Sequence, residues 1–260
     1  MSKSSKYSKS FKFAVMIPTY NEIESIKKII DQINQINIED VEIRILVIDD
    51  NSPDGTSNFV ASLGYSNVEI LNRPVKDGLG NAYKAAISHL LKDGSNTHLV
   101  SMDADGSHRA IDLEKMIRVA IENPDSSLIL GSRWVPGGGI VNWPFYRKWL
   151  SKAGTKYARW ALKMQINDLT GGFRIYPRWM LEKLDLRQIT SNGYCYQIEM
   201  AFAVSHLREM IIEVPITFVE RELGVSKMSQ RIVLEAMLQV TRWGLVMRID
   251  PIADKLHYVK

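Results

Sequence analysis

The sequence predicts an α/β protein with a mixed, mostly parallel sheet flanked by helices, on three observations. Short runs of β-branched and aliphatic residues at 13–17, 43–48, 68–71, 99–102 and 128–130 alternate with amphipathic stretches of helical length at 22–36, 80–91 and 113–122. Clusters of Pro, Gly, Asn and Asp occur at 18–21, 49–55, 77–80 and 136–139, three of them after strands. An acidic pair, Asp103 and Asp105, comes directly after the apolar run 98–102. Strands separated by helices pair in parallel through right-handed crossovers. Loops that follow such strands gather at one sheet edge, where open α/β proteins place their ligands.

Each element has a local reason. The strand 13–17 runs into Pro18, and Asn21 has the side chain to cap a helix starting at Glu22, whose exposed amides favour negative charge. The strand 43–48 delivers Asp49 and Asp50 to a loop. Asp50 can accept hydrogen bonds from a base or ribose, but turn and cap chemistry accounts equally for Asp49, Asp50 and, in Ser52-Pro53-Asp54-Gly55, for Asp54. Asp77-Gly78-Leu79-Gly80 opens the next helix with little side-chain bulk, which admits either a ligand or a tight turn. Asp103-Ala104-Asp105 suits a hard cation and the phosphates it bridges, or an Asp-rich turn.

Beyond the strand at 128–130 the chain changes character. Between 126 and 167 there are seven basic residues and no acidic one: Arg133, Arg147, Lys148, Lys152, Lys156, Arg159 and Lys163, interleaved with Trp143, Phe145, Tyr146, Trp149, Tyr157 and Trp160. This composition suits a helix in a lipid headgroup layer, or a helix packed on the sheet with a solvated basic face. Nucleic-acid binding uses the same residue types. A last apolar stretch, 232–249, carries Glu235, Arg242 and Arg248 and reads as a docked or interfacial amphipathic helix.

With 260 residues, 45% hydrophobic and 24% charged, the chain can build one large core. The expected organisation is a mobile, basic leader over 1–10, one α/β domain over 11–228, and an amphipathic helix and tail over 229–260. No run approaches the roughly 20 apolar residues of a membrane span, and the leader has no apolar stretch of signal-peptide type behind it. A single cysteine, Cys195, excludes an internal disulfide, fits a reducing cytosol and reads as a small buried side chain. The five histidines lack zinc-ligand spacing. The net charge of +4 favours an anionic partner without choosing among nucleotide, phospholipid and nucleic acid.

Taken in order, Ile17-Pro18-Thr19-Tyr20-Asn21-Glu22, Val47-Ile48-Asp49-Asp50-Asn51-Ser52-Pro53-Asp54-Gly55-Thr56, Gly78-Leu79-Gly80, Asp103-Ala104-Asp105 and Gly131-Ser132-Arg133 resemble the inverting GT-A glycosyltransferases, whose fold is Rossmann-like. Asn142-Trp143-Pro144, Asp168-Leu169-Thr170-Gly171-Gly172-Phe173-Arg174, Gly193-Tyr194-Cys195-Tyr196-Gln197-Ile198-Glu199-Met200 and Arg221-Glu222-Leu223-Gly224-Val225-Ser226-Lys227-Met228 narrow the resemblance to polyprenyl (dolichyl) phosphate mannosyltransferases, up to about residue 228.

The resemblance implies transfer of mannose from GDP-mannose to polyprenyl phosphate, with inversion, giving polyprenyl phosphate mannose and GDP. Pro18, Tyr20, Glu22, Ile48 and Asp50 match positions that enclose the nucleoside. Asp103, Ala104 and Asp105 match the segment that meets the diphosphate and Mg²⁺ or Mn²⁺. Arg221 and Lys227 match cations that reach the donor phosphates. Arg133 and Arg147 match the acceptor-phosphate arginines, Arg133 touching the donor as well. Many relatives place Gln two residues after the second Asp, where this chain has Ser107, so the third metal position is open. Glu199 falls on a helix where other GT-A enzymes carry a catalytic acid, and Arg174 either assists at the acceptor or pairs with Asp168.

A phosphate acceptor needs no general base. Its second pKa of about 6 leaves it mostly dianionic at neutral pH. Two other readings stay open: the same chemistry with UDP-glucose as donor, and a membrane-associated nucleotide-sugar binding protein without turnover. The full set of Asp103, Asp105, Arg133, Arg221 and Lys227 argues against the second. The expected location is the cytoplasmic face of a membrane, held peripherally by the chain's own helices or by a separate membrane protein, with no nucleic-acid partner.

Overall fold

The computed structural model describes residues 10–193, 195–207, 210–220, 230–249 and 258. Apart from Ser10, the expected leader lies outside the described residues. The elements are β1 (Phe11–Thr19), α1 (Ile26–Asn34), β2 (Val41–Asp49), α2 (Thr56–Ser62), β3 (Val68–Asn72), α3 (Leu79–Asp93), β4 (His98–Ser101), α4 (Ala110–Glu122) and β5 (Leu128–Ser132). They continue with β6 (Gly139–Val141), α5 (Phe145–Leu162), β7 (Arg174–Pro177), α6 (Arg178–Lys183), α7 (Cys195–His206), β8 (Ile211–Pro215), β9 (Thr217–Val219) and α8 (Gln230–Ile249).

Seven strands form one sheet in the order β3-β2-β1-β4-β7-β5-β8, and β6 pairs with β9 in a small second sheet. In the main sheet only β7 runs antiparallel to its neighbours, β4 and β5. The other pairs are parallel. Both faces are apolar because helices cover both. On β1 and β2, Ala14, Met16, Leu46 and Ile48 point towards α3, α7 and α8. Phe13, Val15, Ile17, Ile45 and Val47 point towards α1 and α4, where Ile26, Ile29, Ile30, Leu113 and Ile117 meet them.

The first helix differs from the expectation of 22–36. Asn21 takes a left-handed backbone, φ 60°, and does not cap it; its N–H donates to Ser52 Oγ. The N–H groups of Glu22 and Ile23 donate to Thr56 Oγ1 and Asp54 Oδ2, which ties this loop to the one after β2 and delays the helix to Ile26.

Helix α5 buries Thr155, Ala158, Ala161 and Leu162 and leaves Phe145, Tyr146, Trp149 and Trp160 exposed. Helix α8 packs alongside it in the same direction, since Tyr157 Oη meets Thr241 Oγ1 and, one turn on, Arg248 Nη1 donates to Ala161 O at 3.0 Å. The helices touch at Gly244, where a Cβ would lie 2.7 Å from Ala161 O. Backbone cannot yield there as a flexible side chain could. Gly244→Val is therefore expected to force α8 off α5 and to lower stability by about 2 kcal/mol, read as a lower urea midpoint. An unchanged midpoint would show that the helices separate without cost. Among the described residues no helix is long and apolar enough to cross a membrane.

Candidate active site

Parallel β2, β1 and β4 are adjacent, so their carboxyl ends form one ledge, with Thr19 opposite Asp49 and Met16 opposite Ser101. Pro18 lies at the end of β1, with Tyr20 and Glu22 just beyond it. Lys76 Nζ sits 3.6 Å from the centre of the Tyr20 ring, a cation–π contact. Glu22 accepts from Ser25 Oγ at 2.9 Å. Ile48 is wholly buried in the core, and its carbonyl accepts from Thr19 Oγ1.

The acidic loop residues divide. Asp49 accepts from Thr19 Oγ1 and from Ser52 N and Oγ, and Asp54 accepts from Ile23 N and Thr56 N, so these two build the turn. Asp50 instead pairs with Arg73 at 2.6 Å, and Arg73 also pairs with Asp77. Burial raises the Asp50 pKa against the pull of Arg73.

The glycines of 77–80 serve the chain's own packing. A Cβ on Gly78 would lie 2.7 Å from Asn192 O, and one on Gly80 would lie 2.6 Å from Ser191 O. The Gly80 N–H donates to Asn192 O. The close approach expected there is made by the 191–192 backbone.

Strand β4 presents the acidic pair. Ser101 Oγ donates to Gly172 O at 2.6 Å, which joins the strand end to the loop before β7. Beyond it Asp103 and Asp105 are half-buried and Ala104 is buried. The Asp103 N–H donates to His108 Nδ1 at 3.1 Å, so the ring proton sits on Nε2, 3.8 Å from Asp103 Oδ2. His108 stacks on Phe173 with centroids 4.5 Å apart. Ser107 N–H donates to Asp105 Oδ1, and Ser107 Oγ is buried without a hydrogen-bond partner.

Among the described residues no three His, Cys, Asp or Glu side chains gather as a metal cage. Two carboxylates with an orphaned hydroxyl beside them nevertheless fit a hard divalent cation that takes its remaining oxygens from phosphate and water.

The basic side is built from β5 and α5. Arg133 follows β5 and grips Asp168 twice, Nε to Oδ2 at 2.7 Å and Nη2 to Oδ1 at 2.6 Å, while its N–H also donates to Oδ2. Nη2 reaches Thr170 Oγ1 as well. Of the two readings for Arg174, the pairing with Asp168 has support, since the Arg174 charge helps Arg133 to hold that carboxyl below its ordinary range. The Arg174 side chain, fully buried, donates to Gly171 O, Leu169 O and Tyr176 Oη and holds the loop from within. Arg147, in the first turn of α5, lies over the Trp143 ring at 4.1 Å and donates to Glu220.

Glu199 is buried in α7 and accepts from the Thr190 and Ser191 N–H groups, so it secures that loop and is not placed for acid catalysis. The Cys195 thiol, half-buried, is pushed up to about 12 by burial.

One cavity brings Asp103, Asp105, Arg133 and Arg147 together. Leu150, Tyr157, Ile198, Met237 and Val240 give it apolar walls drawn from α5, α7 and α8. Pro18, Tyr20, Glu22, Ile48 and Asp50 stand apart from this lining, on the neighbouring strand ends. Arg221 and Lys227 lie outside the described residues. Sequence reasoning missed His108, Phe218 and Glu220 in the lining. Only His108 had a local signal, three residues after Asp105.

Residues 14–185 match Glycosyl transferase family 2. The undecaprenyl-phosphate mannosyltransferase of Micrococcus luteus is 45% identical over 243 residues, 93% of this chain and 97% of that protein. The polyprenol monophosphomannose synthase of Mycolicibacterium smegmatis is 43% identical over 239 residues, 91% of this chain and 88% of that protein. Among solved structures, glucosyl-3-phosphoglycerate synthase from Mycobacterium tuberculosis in complex with Mn²⁺, uridine diphosphate and phosphoglyceric acid superposes with a TM-score of 0.62 at 17% identity, over 92% of this chain and 79% of that one. That likeness is one of fold and agrees with the GT-A architecture. On the family match and the two full-length relatives, the chain belongs to glycosyl transferase family 2 and is a glycosyltransferase.

Proposed function

We propose that the protein transfers mannose from GDP-mannose to the phosphate of a polyprenyl phosphate, with inversion, releasing GDP at a membrane surface. The observation that carries this reading is the make-up of one cavity, in which an acidic pair, two arginines and apolar helix walls meet. An anionic headgroup on a prenyl chain has matching chemistry, whereas a sugar hydroxyl acceptor would leave the apolar walls unused. The names of the two relatives support the sugar and the lipid class.

In this reading Pro18, Tyr20, Glu22 and Asp50 enclose the nucleoside, with Ile48 reaching it only through backbone. Asp103 and Asp105, with Ser107 Oγ beside them, are the residues that would hold Mg²⁺ or Mn²⁺. The ion, when bound, offsets the charge that develops on the departing diphosphate. Arg221 and Lys227 serve the donor phosphates. Arg133, oriented in advance by Asp168, and Arg147 collect the acceptor dianion and aim one of its oxygens at the anomeric carbon, opposite the leaving group. No side chain has to remove a proton.

The exposed Phe145, Tyr146 and Trp149 on α5, and Leu238 and Ile249 on α8, with Lys148 and Lys152 nearby in sequence, suit docking into the anionic cytoplasmic leaflet. A separate membrane protein could share that surface.

The test is to incubate purified protein with Mg²⁺, short-chain polyprenyl phosphate and either GDP-mannose or UDP-glucose. Mannosyl lipid is the expected product. Transfer from UDP-glucose alone would overturn the donor, and tight nucleotide-sugar binding without product would favour the non-catalytic reading. Arg147→Ala is expected to raise the acceptor KM by about tenfold, the scale of one charge-assisted hydrogen bond, with the donor KM nearly unchanged. A change confined to the donor KM would contradict the acceptor role.

A further inference from the structure

We propose that Glu220 discriminates between acceptors: its carboxylate occupies Arg147 in the free enzyme, and a lipid phosphate binds by displacing it. The inference rests on the reading of Arg147 as an acceptor-phosphate residue.

The two cavity arginines are held in different ways. Arg133 is 7% exposed at its side chain and grips a wholly buried Asp168 through both its side chain and its backbone. That pair is part of the framework. Arg147 and Glu220 are 15% and 29% exposed at their side chains and line the cavity itself. Their contact is a hydrogen bond from Nη1 to Oε1, and Arg147 Nε has no hydrogen-bond partner. The indole of Trp143 supports the guanidinium from one face, so Arg147 can keep its place while the anion in front of it changes.

Glu220 is equally well anchored. Its N–H donates to Val141 O, directly after β9, which pairs with β6. The carboxylate is thus presented to Arg147 from a fixed strand end, and it adds negative charge to a cavity that already holds Asp103 and Asp105.

A resident carboxylate sets a threshold. A neutral prenol cannot replace it without leaving Arg147 and Glu220 poorly matched, and a singly charged headgroup only exchanges one monoanion for another. A phosphate dianion brings more charge and three acceptor oxygens and can overcome the exchange. Glu220 therefore weakens binding of every anion and leaves only the doubly charged acceptor strong enough to enter.

The experiment compares the wild-type protein with Glu220→Gln, Arg147→Ala and the double variant, using short-chain polyprenyl phosphate as acceptor and its methyl diester, a monoanion, as competitive inhibitor. Glu220→Gln keeps size and hydrogen bonding and removes only charge. Its acceptor KM is expected to fall by about fivefold, the scale of a part-exposed ion pair, with tighter inhibition by the diester. In the Arg147→Ala background the same change is expected to give no gain. If Glu220→Gln leaves the acceptor KM unchanged or raises it while Arg147→Ala also raises it, Glu220 supports Arg147 instead of competing for it, and the proposal falls alone. If Arg147→Ala leaves the acceptor KM unchanged, the acceptor reading falls and this proposal with it.

Discussion

Asp105→Ala is expected to lower kcat by at least about 10³-fold, since a Lewis acid at a departing diphosphate is worth several kcal/mol and each 1.36 kcal/mol is about tenfold in rate. The fold is expected to survive. Asp105 is half-buried on the loop after β4, and the bond it accepts from Ser107 N–H is of a kind worth about 1 kcal/mol. Lipid-linked product reads the first effect and a urea melt the second. Titration with Mn²⁺ followed by electron paramagnetic resonance supplies a third readout, in which the variant is expected to lose the bound-metal signal. Near-normal turnover of the variant across a wide range of metal concentration would refute the metal role of this residue.

Asp168→Ala is expected to cost about 3 to 5 kcal/mol of stability, because it leaves the Arg133 guanidinium buried without its carboxylate. That is a large share of the roughly 5 to 15 kcal/mol that holds a protein folded. Burial alone would raise the Asp168 pKa, but the charge and hydrogen bonds of Arg133 outweigh it and hold the carboxyl below its ordinary value. With the folded value below the unfolded one of about 3.9, the stabilisation is complete above that pH and is lost as pH falls through the folded value. The gap between wild type and variant should be constant from about pH 7 to 5 and close only below about 4. His98, lowered to about 4 by burial, destabilises both proteins as pH falls below its unfolded value and drops out of the difference. A variant that loses under about 1 kcal/mol would show that Arg133 finds another partner.

Elements set by local pattern were legible in the sequence. The five predicted runs fall in β1 to β5 because alternation of β-branched residues with amphipathic stretches is written within a few residues. The four-residue β7 was not legible. It enters antiparallel between β4 and β5, and only tertiary pairing makes it a strand. Helix α2 hid behind the turn sequence that precedes it. In α5, Ala158 and Leu162 pack inward, as a docked helix requires, while Trp149 and Trp160 stay exposed on the opposite face.

The site divides in the same way. Asp103 and Asp105 are neighbours in sequence and could be read together. The partners of Arg133 and Arg147 lie 35 and 73 residues away, and nothing local announces Asp168 or Glu220 as their counter-ions. Gly78 and Gly80 show the opposite error, since their lack of side chains serves a distant stretch of the chain itself.

Tyr258 is buried in the same core as α7 and α8, its carbonyl accepts from Asp185 N–H, and its hydroxyl lies 3.4 Å from Glu199 Oε1. Glu199 in turn secures residues 190–191, which abut the start of α3. A continuous run of contacts therefore joins residue 258 to the start of α3. A change that displaces the buried Tyr258 ring is expected to disturb the 190–191 loop and, through it, the start of α3.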